Sequence, residues 1–206
     1  MNILLIRHGQ TDWNTEGKLQ GTEDIPLNDT GRSQSKSCAQ NLIHQKWDAI
    51  FTSPLSRALE TAHILSDGTN NPPVIIEPLL IEREFGKASG ITWQELKTRY
   101  PLYPKESPEG MEPFDELSSR MEQAVKECIS KNRGENIILI SHGGSINALL
   151  HHLSSGTIGT GITYLKNTCI NILDFDETSN QLIIRKYNLS GEEYFQFQAS
   201  SMEKKR

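Results

Sequence analysis

Short runs of apolar residues alternate along the chain with longer segments in which apolar residues recur every three or four positions. The short runs predict buried strands, and the longer segments predict helices that bury one face. We predict strands over residues 2–6, 48–52, 74–76, 136–140, 168–175 and 181–187, the last two as a candidate hairpin. We predict helices over residues 30–45, 53–66, 92–100, 114–130 and 143–153.

Local signals mark the beginnings of two of these helices. Ser53 followed by Pro54 is typical of a helix start, because serine can cap the first turn and proline is tolerated there. Thr92 and Glu95 have the spacing of a capping box. The remaining segments are predicted to be loops, including residues 9–29 and the proline-rich residues 100–113.

The alternation of strands and helices predicts a single α/β domain over residues 1–199, followed by a polar tail over residues 200–206. The central sheet should be mostly parallel and flanked by helices. In such a sheet the ligand lies outside the carboxyl ends of the strands. The chemistry of the protein is therefore expected at that edge.

Composition and charge exclude several classes of protein. A net charge of −5 and a pI near 5.7 argue against a nucleic-acid-binding protein, which would carry a basic patch. The apolar runs are too short to span a membrane. Arg7 and His8 interrupt the first run, unlike in a signal peptide, so we expect a cytoplasmic protein. The three cysteines show neither disulfide nor zinc spacing, and the oligomeric state is left open.

Two segments of the chain have the same form. Residues 3–6 are an apolar run that leads into Arg7, His8 and Gly9, and residues 138–140 lead into Ser141, His142 and Gly143. If both strands are central in one parallel sheet, the two imidazoles meet at the same edge. The glycine after each histidine lets backbone amides approach a ligand closely.

Two histidines and an arginine without a metal pattern fit phosphoryl transfer. A neutral imidazole is a competent nucleophile, and arginine gives planar, permanently charged recognition of phosphate oxygens. His151 and His152 are adjacent, so on a helix their side chains point about 100° apart and do not form a metal pair. We therefore predict a site that uses neither a metal nor a cofactor.

The order of these motifs resembles the histidine phosphatase superfamily, also called the phosphoglycerate-mutase-like family. The resemblance covers residues 3 to 175, and its signature is the stretch from Arg7 to Asn14. It continues through the segments 19–24, 52–58, 80–82 and 141–144, together with Leu27, Gly31, Thr61 and Gly86. It implies a three-layer α/β/α fold of the phosphoglycerate-mutase type.

The resemblance also implies a role for each motif residue. His8 would be the nucleophile that becomes phosphorylated, and Glu82 would act as general acid and base. Glu84 competes with Glu82 on spacing alone, and the four-residue step to Gly86 favours Glu82. The phosphate would be bound by Arg7, Asn14, Gln20, Gly21, Arg57, His142 and Gly143.

The family contains both phosphatases and mutases. The interval of 60 residues from Glu82 to His142 lacks the insertion that the mutases carry, which favours a phosphatase acting on a small phosphorylated metabolite. A phosphoglycerate-mutase-type phosphotransferase and a catalytically weak phosphate-binding module remain alternatives. The physiological substrate stays open, because the segments 110–112 and 190–192, which border the pocket in relatives, depart from the family pattern.

Overall fold

The computed structural model describes residues 1–132 and 134–203. The apolar runs form six strands, which are β1 (Asn2–Arg7), β2 (Ala49–Thr52), β3 (Val74–Ile76), β4 (Asn136–Ser141), β5 (Ile170–Asp176) and β6 (Gln181–Leu189). The helices are α1 (Asp12–Thr15), α2 (Asp29–Leu42), α3 (Ser56–Asp67), α4 (Trp93–Arg99), α5 (Phe114–Lys131), α6 (Gly143–Leu153) and α7 (Gly191–Glu203).

The strands form one sheet in the order β3-β2-β4-β1-β5-β6. The first four are mutually parallel, and β5 runs antiparallel to both β1 and β6. The predicted mostly parallel sheet and the hairpin of β5 and β6 are both confirmed. Strands β1 and β4 are adjacent at the centre, and Arg7 pairs with Ser141 at their carboxyl ends.

Helices cover both faces of the sheet, which gives the three-layer α/β/α fold. Successive residues of a strand point to opposite faces, so Leu5 packs toward α5 and α6. Leu4 packs toward α2, α3 and α7. A third cluster, which we call the cap cluster, lies apart from the sheet and consists of Leu19, Phe85, Ala88, Ile91, Leu96 and Met111.

Several predicted boundaries differ from the structure. The loop 9–29 contains the short helix α1, which the capping box of Thr11 and Asn14 stabilises. Helix α2 ends at Leu42 rather than at residue 45. Helix α3 begins at Ser56 rather than at Ser53, so the prediction that Ser53 caps it is wrong. The capping box of Thr92 and Glu95 on α4 is confirmed.

The carboxyl end of the chain also differs from the prediction. Helix α7 was not predicted, because its apolar pattern is weak, yet it buries Tyr194 against α2. It includes residues 200–203 of the predicted polar tail, and residues 204–206 lie outside the described residues. The boundary between domain and tail stays a prediction.

The loop that follows His8 is fixed by close packing on the first turn of α2. A Cβ atom on Gly31 would overlap the carbonyl oxygen of Gln10 and come within 2.7 Å of its amide nitrogen. A Cβ atom on Gly9 would lie 2.5 Å from the carbonyl oxygen of Gly31. Backbone therefore packs on backbone at both positions. A residue with a side chain could occupy either position only if the neighbouring backbone moved.

We expect Gly31→Ala to destabilise the protein. Glycine to alanine normally stabilises a helix by about 1 kcal/mol, but here the overlap with Gln10 should reverse the sign and cost about 1–3 kcal/mol. Chemical unfolding monitored by circular dichroism measures the difference. Ser33→Ala, at an exposed position of the same helix, is the control and should change stability by less than about 0.5 kcal/mol. A stabilised Gly31→Ala variant would contradict the packing argument.

Candidate active site

The carboxyl ends of β1 and β4 bring the two motif histidines together, as the sequence predicted. The backbone N–H of His8 donates to the carbonyl of Ser141 at 3.0 Å, which continues the register of the two strands. The ring centroids of His8 and His142 are 5.1 Å apart at an interplanar angle of 57°. Both rings are buried, with 2% of His8 and none of His142 exposed.

One short hydrogen bond fixes the tautomer of His8. Its Nδ1 lies 2.6 Å from the carbonyl oxygen of Gly9. A carbonyl oxygen can only accept, so Nδ1 carries the proton and Nε2 keeps its lone pair. The next backbone N–H, that of Gly9, donates to the hydroxyl of Thr61 at 3.1 Å, which holds the turn in place.

Burial and neighbouring cations keep both imidazoles neutral. Burial lowers the pKa of His8 well below its usual value, and the charges of Arg57 and Arg7 lower it further. Burial and the charge of Arg57 likewise lower the pKa of His142 well below its usual value. A neutral His8 with the proton on Nδ1 has the form that a nucleophile requires.

Arg57 lies in the first turn of α3 and is completely buried. Its Nε donates to Nδ1 of His142 at 3.3 Å. Its other two nitrogens donate to the carbonyls of Glu23 at 2.6 Å and Gly21 at 2.8 Å. Burial lowers the pKa of Arg57 to about 10, so the guanidinium stays charged at neutral pH. The buried charge faces the imidazoles.

The bond from Arg57 decides the tautomer of His142. Because Nδ1 of His142 accepts, Nε2 carries the proton and donates to the hydroxyl of Ser53 at 2.7 Å. Ser53 is therefore a site residue rather than the helix cap that its place before Pro54 predicted. The motif of residues 52–54 was a signal for it, since it belongs to the same segment 52–58 as Arg57.

Arg7 ends β1 and is tied to the loop before β5. One terminal nitrogen donates to the carbonyl of Leu165 at 2.6 Å. Its Nε is buried and has no hydrogen-bond partner within the described part of the chain. A Cβ atom on Gly143 would lie 3.3 Å from that nitrogen, so the glycine leaves room beside it. Arg7 thus keeps one buried donor that no described residue satisfies.

Glu82 is bound by the amino terminus of α6. Its Oε1 accepts from the backbone N–H groups of Arg83 and Ser145, both at 2.8 Å. It also lies 3.0 Å from the Ser145 hydroxyl, whose one proton is shared with the carbonyl of Ile81 at 2.8 Å. Its Oε2 accepts only from the N–H of Gly144, at 3.0 Å. A Cβ atom on Gly144 would lie 2.8 Å from Oε1. The carboxylate thus approaches the turn that follows His142 because residue 144 is glycine.

Glu84 has different neighbours. Its Oε2 accepts from the Thr22 hydroxyl at 2.5 Å, and its Oε1 accepts from the N–H of Gly86 at 2.8 Å. Both oxygens are thus used to hold loops. Of the two glutamates that the sequence left in competition, Glu82 is the one bound to the helix that begins beside His142.

The remaining predicted ligands of phosphate lie in the loop after β1. The Oδ1 of Asn14 accepts from the N–H of Thr11 and from Nδ2 of Asn167, both at 3.1 Å. Gln20 is buried, and its Oε1 has no partner among the described residues. Gly21 has a φ of +54°, which favours glycine, and its carbonyl is bound to Arg57 as described. Asn167 was not identified from the sequence.

The described residues contain no group of three or more histidine, cysteine, aspartate or glutamate side chains placed to hold a metal ion. They also contain no helix that is long and apolar enough to cross a membrane.

Comparison with known families decides what this arrangement is. The model of the histidine phosphatase superfamily (branch 1) matches residues 3–188. The chain belongs to this superfamily. The family resemblance predicted from the motif order is therefore confirmed.

Relatives of the chain include both phosphatases and mutases. The chain is 35% identical to the uncharacterized phosphatase PhoE of Bacillus subtilis, over 91% of this chain and 94% of PhoE. It is 29% identical to the 2,3-bisphosphoglycerate-dependent phosphoglycerate mutase 2 of Gloeobacter violaceus, over 73% of this chain and 74% of the mutase. The phosphoserine phosphatase of Entamoeba histolytica, solved with 3-phosphoglyceric acid, superimposes with a TM-score of 0.76 at 28% identity. That match covers 91% of this chain and 96% of the other.

The two neutral histidines make stability depend on pH. In the folded protein, burial lowers the pKa of His8 and His142, whereas in the unfolded chain both titrate near about 6.5. Below pH 6.5 the unfolded state therefore binds more protons, and the free energy of unfolding falls as the pH falls. Each histidine contributes a slope of up to about 1.4 kcal/mol per pH unit. Above pH 6.5 this dependence disappears.

Chemical unfolding between pH 5 and pH 8 measures these slopes. We expect His8→Asn to reduce the slope below pH 6.5, because it removes one of the two groups. His63→Asn is the control, since His63 is exposed on α3, and it should leave the slope as in the wild type. An unchanged slope in His8→Asn would contradict the assignment of a neutral buried ring.

Proposed function

We propose that this protein is a metal-independent phosphatase that hydrolyses small phosphomonoesters through a phosphohistidine on His8. The observation that carries the proposal is a neutral His8, protonated on Nδ1 through Gly9 and placed beside the guanidiniums of Arg7 and Arg57. Its Nε2 has the lone pair that attack on phosphorus needs. Membership of the superfamily supports the same chemistry.

In the first half-reaction, Nε2 of His8 forms a bond to phosphorus as the bond from phosphorus to the ester oxygen breaks. The departing oxygen takes a proton from the carboxyl group of Glu82, so an alcohol leaves rather than an alkoxide. Oε2 is the oxygen suited to carry this proton. It accepts one hydrogen bond, whereas Oε1 accepts two from backbone N–H groups and also faces the Ser145 hydroxyl.

In the second half-reaction, water replaces the alcohol. Glu82, now a carboxylate, takes a proton from the water while the water oxygen attacks phosphorus. The bond between phosphorus and Nε2 breaks, the electron pair returns to His8, and inorganic phosphate leaves. Both the imidazole and the carboxyl group are then restored to their starting forms.

The charge that spreads over the phosphoryl oxygens during both steps requires fixed donors. Arg7 and Arg57 supply them from two different elements, at the end of β1 and in the first turn of α3. His142 adds a third donor when its one N–H, on Nε2, turns from Ser53 to the phosphoryl group. Both guanidiniums are held by a second contact, to Leu165 or Gly21. The donors are therefore oriented before substrate binds and need little reorganisation.

A sequence interval and one relative favour phosphatase activity over the two alternatives. The interval between Glu82 and His142 is short, and the phosphatase PhoE matches nearly its full length. Phosphoglycerate mutase relatives keep mutase activity as a second candidate. A catalytically weak binding module is disfavoured, because the structure brings all five proposed catalytic residues close to one strand edge: Arg7, His8, Arg57, Glu82 and His142.

Hydrolysis of para-nitrophenyl phosphate should persist in EDTA, because no step uses a metal. Vanadate, which can mimic pentacoordinate phosphorus, should inhibit it. Activity that disappears in chelator and returns with magnesium or zinc would overturn the proposal. A 3-phosphoglycerate assay run in parallel tests the mutase.

The two histidines should differ in the effect of their loss. His8→Ala should abolish both turnover and the trapping of phosphate on the protein. His142→Ala should reduce turnover about 10²-fold, the usual cost of losing one transition-state donor.

Glu82→Gln should slow hydrolysis of an alkyl phosphate far more than that of para-nitrophenyl phosphate, whose leaving group needs little protonation. Glu84→Gln is the matched control, because it makes the same change two residues away in a carboxylate that only holds loops. The quantity to compare is the ratio of the two rates in each variant. A change of this ratio in Glu84→Gln but not in Glu82→Gln would assign the acid to Glu84.

A further inference from the structure

The segment between α6 and β5 returns to the nucleophile at residues 167 and 168. The paired residues of β1 and β5 end at Ile6 and Ile170, but the contact between the two chains continues past that point. The N–H of Thr168 donates to the carbonyl of Arg7 at 3.1 Å, and Nδ2 of Asn167 donates to the carbonyl of His8 at 3.1 Å. The backbone of His8 is thus held by Ser141 on one side and by Asn167 on the other.

The same nitrogen of Asn167 has a second acceptor, the Oδ1 of Asn14, at 3.1 Å. The assignment of both amides follows from their partners. Oδ1 of Asn14 faces the N–H of Thr11, which can only donate. The Asn167 atom that faces two oxygens must therefore be nitrogen. As a consequence, Nδ2 of Asn14 makes neither of these two contacts.

The backbone here is strained. Thr168 has a φ of +55°, a conformation that is rare for a β-branched residue. Such strain persists only where surrounding contacts enforce it, and it concentrates at functional sites. The strained residue directly follows Asn167, and its hydroxyl donates to the Asn167 carbonyl at 2.7 Å.

We infer that Asn167 is a positioning residue for phosphoryl transfer. One amide nitrogen binds the carbonyl of the nucleophile and the side chain of Asn14 together. It thereby fixes the distance between Nε2 of His8 and Nδ2 of Asn14, and it turns Nδ2 toward the phosphoryl oxygens. This inference rests on the proposed function for the identity of the anion.

A double-mutant cycle on anion binding tests the inference. The full-length protein and its Asn14→Ala, Asn167→Ala and double variants are titrated with orthovanadate. Asn167→Ala should weaken binding about 10-fold or more, because Nδ2 of Asn14 would no longer be held in place to donate a hydrogen bond to the charged anion. In the Asn14→Ala background the same change should weaken binding less than about 3-fold, because its effect passes through Asn14. Equal losses in both backgrounds, or no loss, would overturn the inference.

Asn188→Ala is the matched control. Asn188 also holds this segment, through the N–H of Lys166 at 3.1 Å and the carbonyl of Tyr164 at 3.0 Å, but it has no contact with Asn14. Its effect on vanadate binding should be equal with and without Asn14, as expected for a purely structural residue. Coupling to Asn14 as strong as that of Asn167 would overturn the inference.

Thermal unfolding establishes that each variant is folded, and Asn167→Ser, which is too short to reach Asn14, replaces Asn167→Ala if that variant does not fold. Binding of vanadate is measured without turnover. The cycle therefore remains readable if the wild-type protein proves to hydrolyse no phosphomonoester, and the two proposals can fail separately.

Discussion

The hydrogen bond from Nδ1 of His8 to the carbonyl of Gly9 sets the chemistry that the rest of the site can support. It places the proton away from the reacting nitrogen, and burial of the ring keeps a second proton off. The guanidiniums of Arg7 and Arg57 act in the same direction, since their charge disfavours an imidazolium. The cations that would bind the phosphate therefore also keep the proposed nucleophile neutral.

Glycine at positions 143 and 144 allows the side chains of Arg7 and Glu82 to lie close to the first turn of α6. Gly144 admits the carboxylate of Glu82 to the first turn of α6, and Gly143 leaves space beside Arg7. The N–H groups of that turn hold the carboxyl group of Glu82 in place, through the hydrogen bonds from Gly144 and Ser145. One helix start thus follows His142 in the chain, binds Glu82 and borders Arg7, and small shifts of α6 would affect all three.

The parts of the site that sequence could predict are those with a local pattern and those, such as Arg57 and Glu82, that the family resemblance implied. His8 and His142 stand at the ends of apolar runs, and the parallel pairing of β1 with β4 brings them together. Ser53, Thr61 and Asn167 act through hydrogen bonds to residues 89, 52 and 153 positions away, and no local pattern encodes such contacts. Ser53 shows the difficulty, because a serine before proline looks the same whether its hydroxyl caps a helix or binds a histidine.

The cap cluster is separate from the sheet, yet it is coupled to the catalytic edge. Gly21 packs against Phe85 of that cluster, where an added Cβ would lie 3.2 Å from the ring, and its carbonyl binds Arg57. On the other side, Arg83, which follows Glu82, donates to the carbonyl of Glu112 and to the hydroxyl of Tyr103. The packing of the cap cluster therefore bears directly on the site, because it holds the carbonyl that orients Arg57 and the chain that carries Glu82.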